Sequence, residues 1–182
     1  MKAIPTALDG VLILEPRLFE DERGWLMETW NSERFREAGI EADFVQDNHS
    51  RSARGVLRGL HYQLQRPQGK LVRAVRGRIF DVAVDVRRSS PAFGRWAGAD
   101  LSAENRRLLW IPPGFAHGFL SLEDGSECLY KCTGYYDAGD ERAILWSDAA
   151  IGIKWPSVGP EGPLLSPRDR AAPPLLEAET FA

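Results

Sequence analysis

The sequence is poor in cysteine: Cys128 and Cys132 are the only two among 182 residues, so no disulfide framework organises the fold. It has no apolar run near the roughly 18 residues that a membrane-spanning helix requires. Its start, MKAIPTALDG, lacks the apolar stretch and small-residue cleavage site of an export signal. The expectation is a reduced, cytoplasmic protein with no membrane partner. Lysine is scarce, 4 residues against 19 arginines, and the net charge is -3. That balance argues against general nucleic-acid binding, whereas a few convergent arginines suit the phosphates or carboxylate of a small anionic ligand. Histidine is rarer still, with His49, His61 and His117 alone.

The chain is long enough for one full core and short for two, so residues 1–182 are read as a single domain. Helix signals are nearly absent. One short segment, NSERFREAG, has Asn31 as a candidate N-cap, Phe35 and Ala38 on one face, and Gly39 as a stop. The remainder reads as strands. WLMETW (25–30) alternates, RIFDVAVDV (78–86) alternates with Phe80, Val82, Val84 and Val86 on one face, and RLLWIP (107–112) and ECLYKCTGYY (127–136) are rich in strand formers. Turn clusters such as DERG, SSPAFG and PPG separate them, which predicts an all-β antiparallel sandwich or barrel. Half of the 12 prolines lie from Pro156 onward. The C-terminal segment is therefore expected to be irregular and to dock on the β-core through pairs such as Leu164-Leu165 and Leu175-Leu176.

Chemistry concentrates in GVLRGLHYQL (55–64), a strand-like stretch carrying Arg58, His61 and Gln63, and in PPGFAHGF, which ends near His117. The spacing of these two stretches resembles the paired motifs of the cupin superfamily, which implies a small jelly-roll barrel. Where metal-binding cupins place further ligands, this chain has Gln63 and Gln68 or Pro67. A neutral amide is a poor replacement for an imidazole or carboxylate, so no metal and no other cofactor is expected. His61 is then the natural base, because imidazole takes and releases protons near neutrality. Strict alternation would put Arg58 and His61 on opposite faces, so a bulge or bend at Gly59 is predicted if both serve one pocket.

Over nearly its whole length the sequence also resembles the dTDP-4-dehydrorhamnose 3,5-epimerases. The matching stretches are FEDERGWLMETW, FVQDNHSRS, GVLRGLHYQ, PQGKLVRAVRGRIFDVAVDVRRSSPAFGRW, WIPPGFAHGF, CLYKCTGYYDAGDE, KWP and LSPRD. The resemblance implies a substrate that is a nucleoside diphosphate carrying a 4-keto-6-deoxy sugar, epimerised through an enolate. It implies four catalytic residues: His61 as base, Asp169 as the carboxylate orienting it, Lys70 at the developing oxyanion, and Tyr130 as the acid on the far side. For binding it implies Phe19, Arg23, Glu28, Gln46, Asn48, Arg58, His117, Tyr136, Glu141 and Arg168. Arg23 and Arg58 would take phosphate oxygens, and Tyr136 would stack on the base. It further implies a homodimer in which the DERG region of one subunit completes the other's site.

Two positions depart from the family pattern. Arg168 stands where lysine is common, and Ala143 where glycine is common, which bears on nucleotide preference more than on the reaction. The alternatives are an epimerase acting at one centre or on another nucleotide sugar, a non-catalytic sugar-nucleotide binder, and a metal-dependent cupin. The binder is disfavoured because His61, Asp169, Lys70 and Tyr130 are all present.

Overall fold

A computed structural model describes residues 1–182. In chain order the strands are β1 (Lys2–Pro5), β2 (Leu12–Glu15), β3 (Leu18–Asp21), β4 (Gly24–Met27), β5 (Gln46–Ser52), β6 (Leu57–Gln63) and β7 (Lys70–Arg76). They continue as β8 (Arg78–Asp85), β9 (Trp96–Ser102), β10 (Leu108–Ile111), β11 (Phe115–Ser121), β12 (Ser126–Cys132) and β13 (Glu141–Ala143). Two helices are short, α1 (Ser32–Glu37) and α2 (Pro167–Arg170). No helix is long and apolar enough to cross a membrane.

The strands form a six-stranded sheet in the order β1-β2-β10-β7-β12-β5 and a five-stranded sheet in the order β13-β6-β11-β8-β9. β3 and β4 pair only with each other, as a separate hairpin. The pairings within both sheets are antiparallel, which is the jelly-roll arrangement expected from the sequence.

The main core lies between the sheets. Val72, Leu109, Ile111 and Cys128 come from the six-stranded sheet, and Ile79, Ala83, Leu101, Phe115 and Phe119 from the other. Burying each large aliphatic side chain of this kind contributes about 1.5–3 kcal/mol. The period of two continues past this core into polar residues. On β12 the inward series runs from Cys128 in the core through Tyr130 to Cys132. Along these strands the interior changes from packed apolar side chains to a polar cavity.

The outer faces are covered as well. Val82 and Val84 of β8, with Val86 just beyond its end, turn away from the other sheet and pack against Ile151, Trp155, Leu175 and Phe181 of the C-terminal segment. Docking of that segment is thus present, with Leu175 buried while Leu164 and Leu176 stay largely exposed. Helix α1 covers the six-stranded sheet by inserting Phe35 against Leu14, Leu71 and Trp110. Asn31 caps it, its Oδ1 accepting from the backbone N–H groups of Glu33 at 3.1 Å and Arg34 at 3.2 Å.

Two strand boundaries differ from the sequence expectation. WLMETW is extended only to Met27, because Trp30 turns inward to contact Phe35 and Phe44 at ring distances of 4.4 and 4.6 Å. ECLYKCTGYY leaves the sheet after Cys132. The following loop is held instead by Gln63, whose Oε1 accepts from Asp137 N and whose Nε2 donates to the Tyr135 carbonyl.

Candidate active site

The polar end of the sandwich encloses a cavity of about 420 Å³. His61 enters it from β6 and Tyr130 from β12, so the two side chains reach one space from different sheets. The placement of His61 depends on an irregularity at Gly59. Opposite β11, His117 pairs with His61 and Phe119 with Arg58, so a step of two residues on β11 matches a step of three on β6. This is the bulge that strict alternation required, and it brings Arg58 and His61 to the same cavity. Only glycine fits at its apex: φ is +134° at Gly59, and a Cβ there would lie 2.4 Å from the Gly118 Cα.

His61 Nε2 lies 2.5 Å from Asp169 Oδ1. Asp169 is presented by the single turn of α2, whose cap Ser166 accepts from the Asp169 backbone N–H at 3.0 Å, with Pro167 opening the turn. Burial alone would raise the Asp169 carboxyl. The hydrogen bond and charge of His61, with donors at Ser166 and the Gly59 backbone, outweigh it and hold the group below the usual carboxylate range. Asp169 is therefore an anion fixed on Nε2, which leaves Nδ1 of His61 as the nitrogen available to the cavity. The nearest carboxylate to Nδ1 is Glu141, with Oε1 at 3.9 Å.

Across the cavity, burial pushes the Tyr130 phenol up to about 12, so it stays a neutral donor. Lys70, opposite Cys132 in the β7–β12 ladder, is also at the cavity wall. Desolvation draws its ammonium below the ordinary lysine range, against the pull of the Glu141 and Asp81 carboxylates. The mouth of the cavity carries a linked set of side chains. Tyr136 donates its hydroxyl to Glu141 at 3.0 Å, Arg168 pairs with the same carboxylate, and Gln46 Oε1 accepts from the Tyr136 N–H at 2.9 Å. Gln46 in turn donates to Asn48 at 3.1 Å, and Arg58 Nε donates to Ser52 at 3.2 Å. No group of three or more His, Cys, Asp or Glu side chains is placed to hold a metal ion. Gln63, at one of the cupin ligand positions, is committed to loop backbone.

Such a cavity offers a base with its carboxylate, a cation and a phenol around one small space, with arginines at hand for an anion. The sequence matches the family described as dTDP-4-dehydrorhamnose 3,5-epimerase over residues 5–177. The chain belongs to this family. A dTDP-4-dehydrorhamnose 3,5-epimerase of Shigella flexneri is 55% identical over 183 residues, covering 100% of this chain and 99% of its own. The Legionella pneumophila dTDP-6-deoxy-D-glucose-3,5-epimerase, solved in complex with dTDP-4-keto-L-rhamnose, superposes with a TM-score of 0.93 at 50% identity, covering 97% of this chain and 93% of that chain. A 3'-monoepimerase of Streptomyces bikiniensis, solved with dTDP-quinovose, is similar at a TM-score of 0.87 and 38% identity, covering 94% of this chain and 87% of that chain.

In this member of the epimerase family, eleven of the fourteen residues singled out from sequence line the cavity: His61, Tyr130, Asp169, Lys70, Gln46, Asn48, Arg58, His117, Tyr136, Glu141 and Arg168. Phe19, Arg23 and Glu28 do not line the cavity of their own chain. Phe19 and Arg23 lie on the exposed β3–β4 hairpin, where Arg23 pairs with Asp21 and the Arg17 guanidinium lies 4.8 Å from the Phe19 ring centroid. Glu28 pairs with Arg34 at 3.1 Å beside α1. Sequence reasoning missed Ser50, Cys132 and Ser166 at the cavity wall, and Asp81 behind His117. Asp81 had a signal: it is a carboxylate inside the apolar alternation of RIFDVAVDV, on the face opposite the valines.

Proposed function

We propose that this chain is the isomerase that inverts C3 and C5 of dTDP-4-dehydro-6-deoxy-D-glucose to give dTDP-4-dehydro-L-rhamnose, using its own side chains and no metal or other cofactor. The observation that carries this reading is the arrival of His61 and Tyr130 in one cavity from opposite sheets, with Lys70 on the same wall.

C3 and C5 both neighbour the C4 carbonyl, so loss of either proton gives an enolate. Asp169 holds the proton of His61 on Nε2, and Nδ1 removes the carbon-bound proton. The carboxylate then stabilises the imidazolium that results. Lys70 stabilises charge on the C4 oxygen as it develops. A lysine of weakened basicity in a desolvated site places that charge where water screens it least. Tyr130 returns a proton from the other side of the ring, which inverts the centre. Repetition at the second carbon uses the same groups, because both carbons flank one carbonyl.

The diphosphate is bound through Arg58 and, in a homodimer with shared sites, through the partner subunit's Arg23. The exposed hairpin with Phe19 and Arg23 supports this reading, since those side chains have no site within their own chain. Glu28, Gln46, Asn48, His117, Tyr136, Glu141 and Arg168 complete the binding of sugar and nucleotide, with Tyr136 stacking on the base. Residues 1–182 act as one catalytic unit in the cytoplasm, consistent with two unpaired buried cysteines.

An epimerase that inverts one centre would use the same base, acid and lysine, and the likeness to the Streptomyces bikiniensis 3'-monoepimerase favours keeping that reading. Incubation with the dTDP-4-keto sugar in deuterated water, followed by proton NMR, separates the two by counting the carbons that exchange.

A further inference from the structure

On the cavity wall His117 belongs to a second imidazole–carboxylate pair, whose carboxylate the reaction as described does not use. His117 Nε2 is 2.7 Å from Asp81 Oδ1, and His117 stands directly opposite His61 in the β11–β6 ladder. Asp81 is on the inward face of β8 and has no exposed surface. Its second oxygen, Oδ2, is buried and accepts no hydrogen bond from the protein. A desolvated carboxylate with half its acceptors idle is a costly way to hold one ring in place, since a neutral amide could hydrogen-bond the ring in either tautomer. The negative charge calls for a reason beyond packing.

We infer that Asp81 is a positioning residue: its hydrogen bond fixes the His117 proton on Nε2 and turns Nδ1 into an acceptor for the C2 hydroxyl of the sugar. The inference rests on the epimerase reading of the same cavity. Burial lowers the His117 pKa, and the nearby charges of Lys70 and His61 act in the same direction against Asp81, so the ring is neutral at pH 7. A neutral imidazole donates from one nitrogen and accepts at the other. With Nε2 facing a carboxylate, the acceptor is Nδ1.

Several cavity acceptors are already taken: Gln46 Oε1, Asn48 Oδ1, Gln63 Oε1 and Glu141 Oε2 each accept a hydrogen bond within the protein. A 4-keto-6-deoxy sugar attached through C1 has hydroxyl donors at C2 and C3. The C3 hydroxyl changes face during inversion, so a fixed acceptor serves substrate and product alike only at C2. Holding C2 also keeps the ring in place between the two proton transfers.

The test combines nitrogen NMR on protein carrying isotope-labelled histidine with kinetics. His117→Gln assigns the His117 resonances. The wild type is expected to show His117 neutral with the proton on Nε2 at neutral pH, a reading that does not depend on any variant folding. Asp81→Asn should give a growing Nδ1-protonated form and a loss in kcat/KM of about tenfold or more, while dTDP alone binds as before. Against a substrate lacking the C2 hydroxyl, Asp81→Asn should cost less than twofold, since the contact it supports is already gone. A cationic or Nδ1-protonated His117 in the wild type would overturn the inference, as would an equal loss in Asp81→Asn with both substrates. Failure of the wild type to turn over the dTDP-4-keto sugar would instead count against the epimerase reading and leave the tautomer measurement intact.

Discussion

Asp169 Oδ1 lies 2.5 Å from His61 Nε2, although 108 positions of sequence separate the two residues. The pair joins a central strand to a one-turn helix in the irregular C-terminal segment, so the proposed base is complete only when that segment has docked. Asp169→Asn should therefore leave the fold in place and lower kcat by about two to four orders of magnitude, because the imidazole loses the charge that fixes its proton. His61→Ala should stop hydrogen exchange at both C3 and C5. Circular dichroism and steady-state rates check both variants, and near-normal turnover by Asp169→Asn would remove the carboxylate from the reaction.

Tyr130 is expected to separate exchange from inversion. In Tyr130→Phe, His61 still removes protons, so deuterium should enter the substrate while product falls sharply. Normal inversion by this variant would mean that another group is the acid.

The same phenol has a pH consequence. Burial holds both Tyr130 and Tyr62 near 12 in the folded protein, against 10.0 when free. Between those values the unfolded chain gives up protons that the folded chain keeps. The stability they lend is therefore complete below pH 10 and declines as pH rises toward 12. Chemical denaturation of Tyr130→Phe between pH 9 and pH 12 should show a shallower decline than the wild type. An unchanged slope would contradict the burial of this hydroxyl.

Gly59 is predicted to tolerate no side chain. A Cβ would meet the Gly118 Cα at 2.4 Å and the His117 carbonyl oxygen at 2.9 Å, in a backbone conformation that L residues avoid. Gly59→Ala should cost about 1–3 kcal/mol in stability and displace His61 from Asp169. A variant as stable and as active as the parent would show that the bulge is not what aims the base.

Much of this site was legible because strand chemistry is local. The alternation of β8, the cap at Asn31 and the misfit between Arg58 and His61 each follow from short-range geometry, and the structure contains all three. What was not legible depended on distance or on context. Trp30 leaves its strand because Phe35 and Phe44 offer a better-packed environment than the sheet edge. Asp81 sits among valines whose burial drew attention to the wrong face of β8, since the C-terminal segment covers them and the site lies on the other side. Phe19, Arg23 and Glu28 came from family resemblance alone, and no periodicity within one chain could say whose cavity they serve.

Mixing tests that last point. If the hairpin of one subunit completes the site of the other, His61→Ala and Arg23→Ala should each be nearly inactive alone. Combined after exchange of subunits, they should recover up to about a quarter of wild-type activity, from the dimers that hold one intact site. No recovery in a mixture shown to exchange subunits would place Arg23 outside the shared site.

One imidazole and one phenol, reaching a single cavity from opposite sheets, are proposed to act at both carbons beside the keto group. Proton NMR of dTDP-4-dehydro-6-deoxy-D-glucose incubated with the enzyme in deuterated water tests that role most directly. Deuterium should enter at both C3 and C5, and the L-rhamno product should accumulate. Exchange at one carbon only, or none at either, would contradict it.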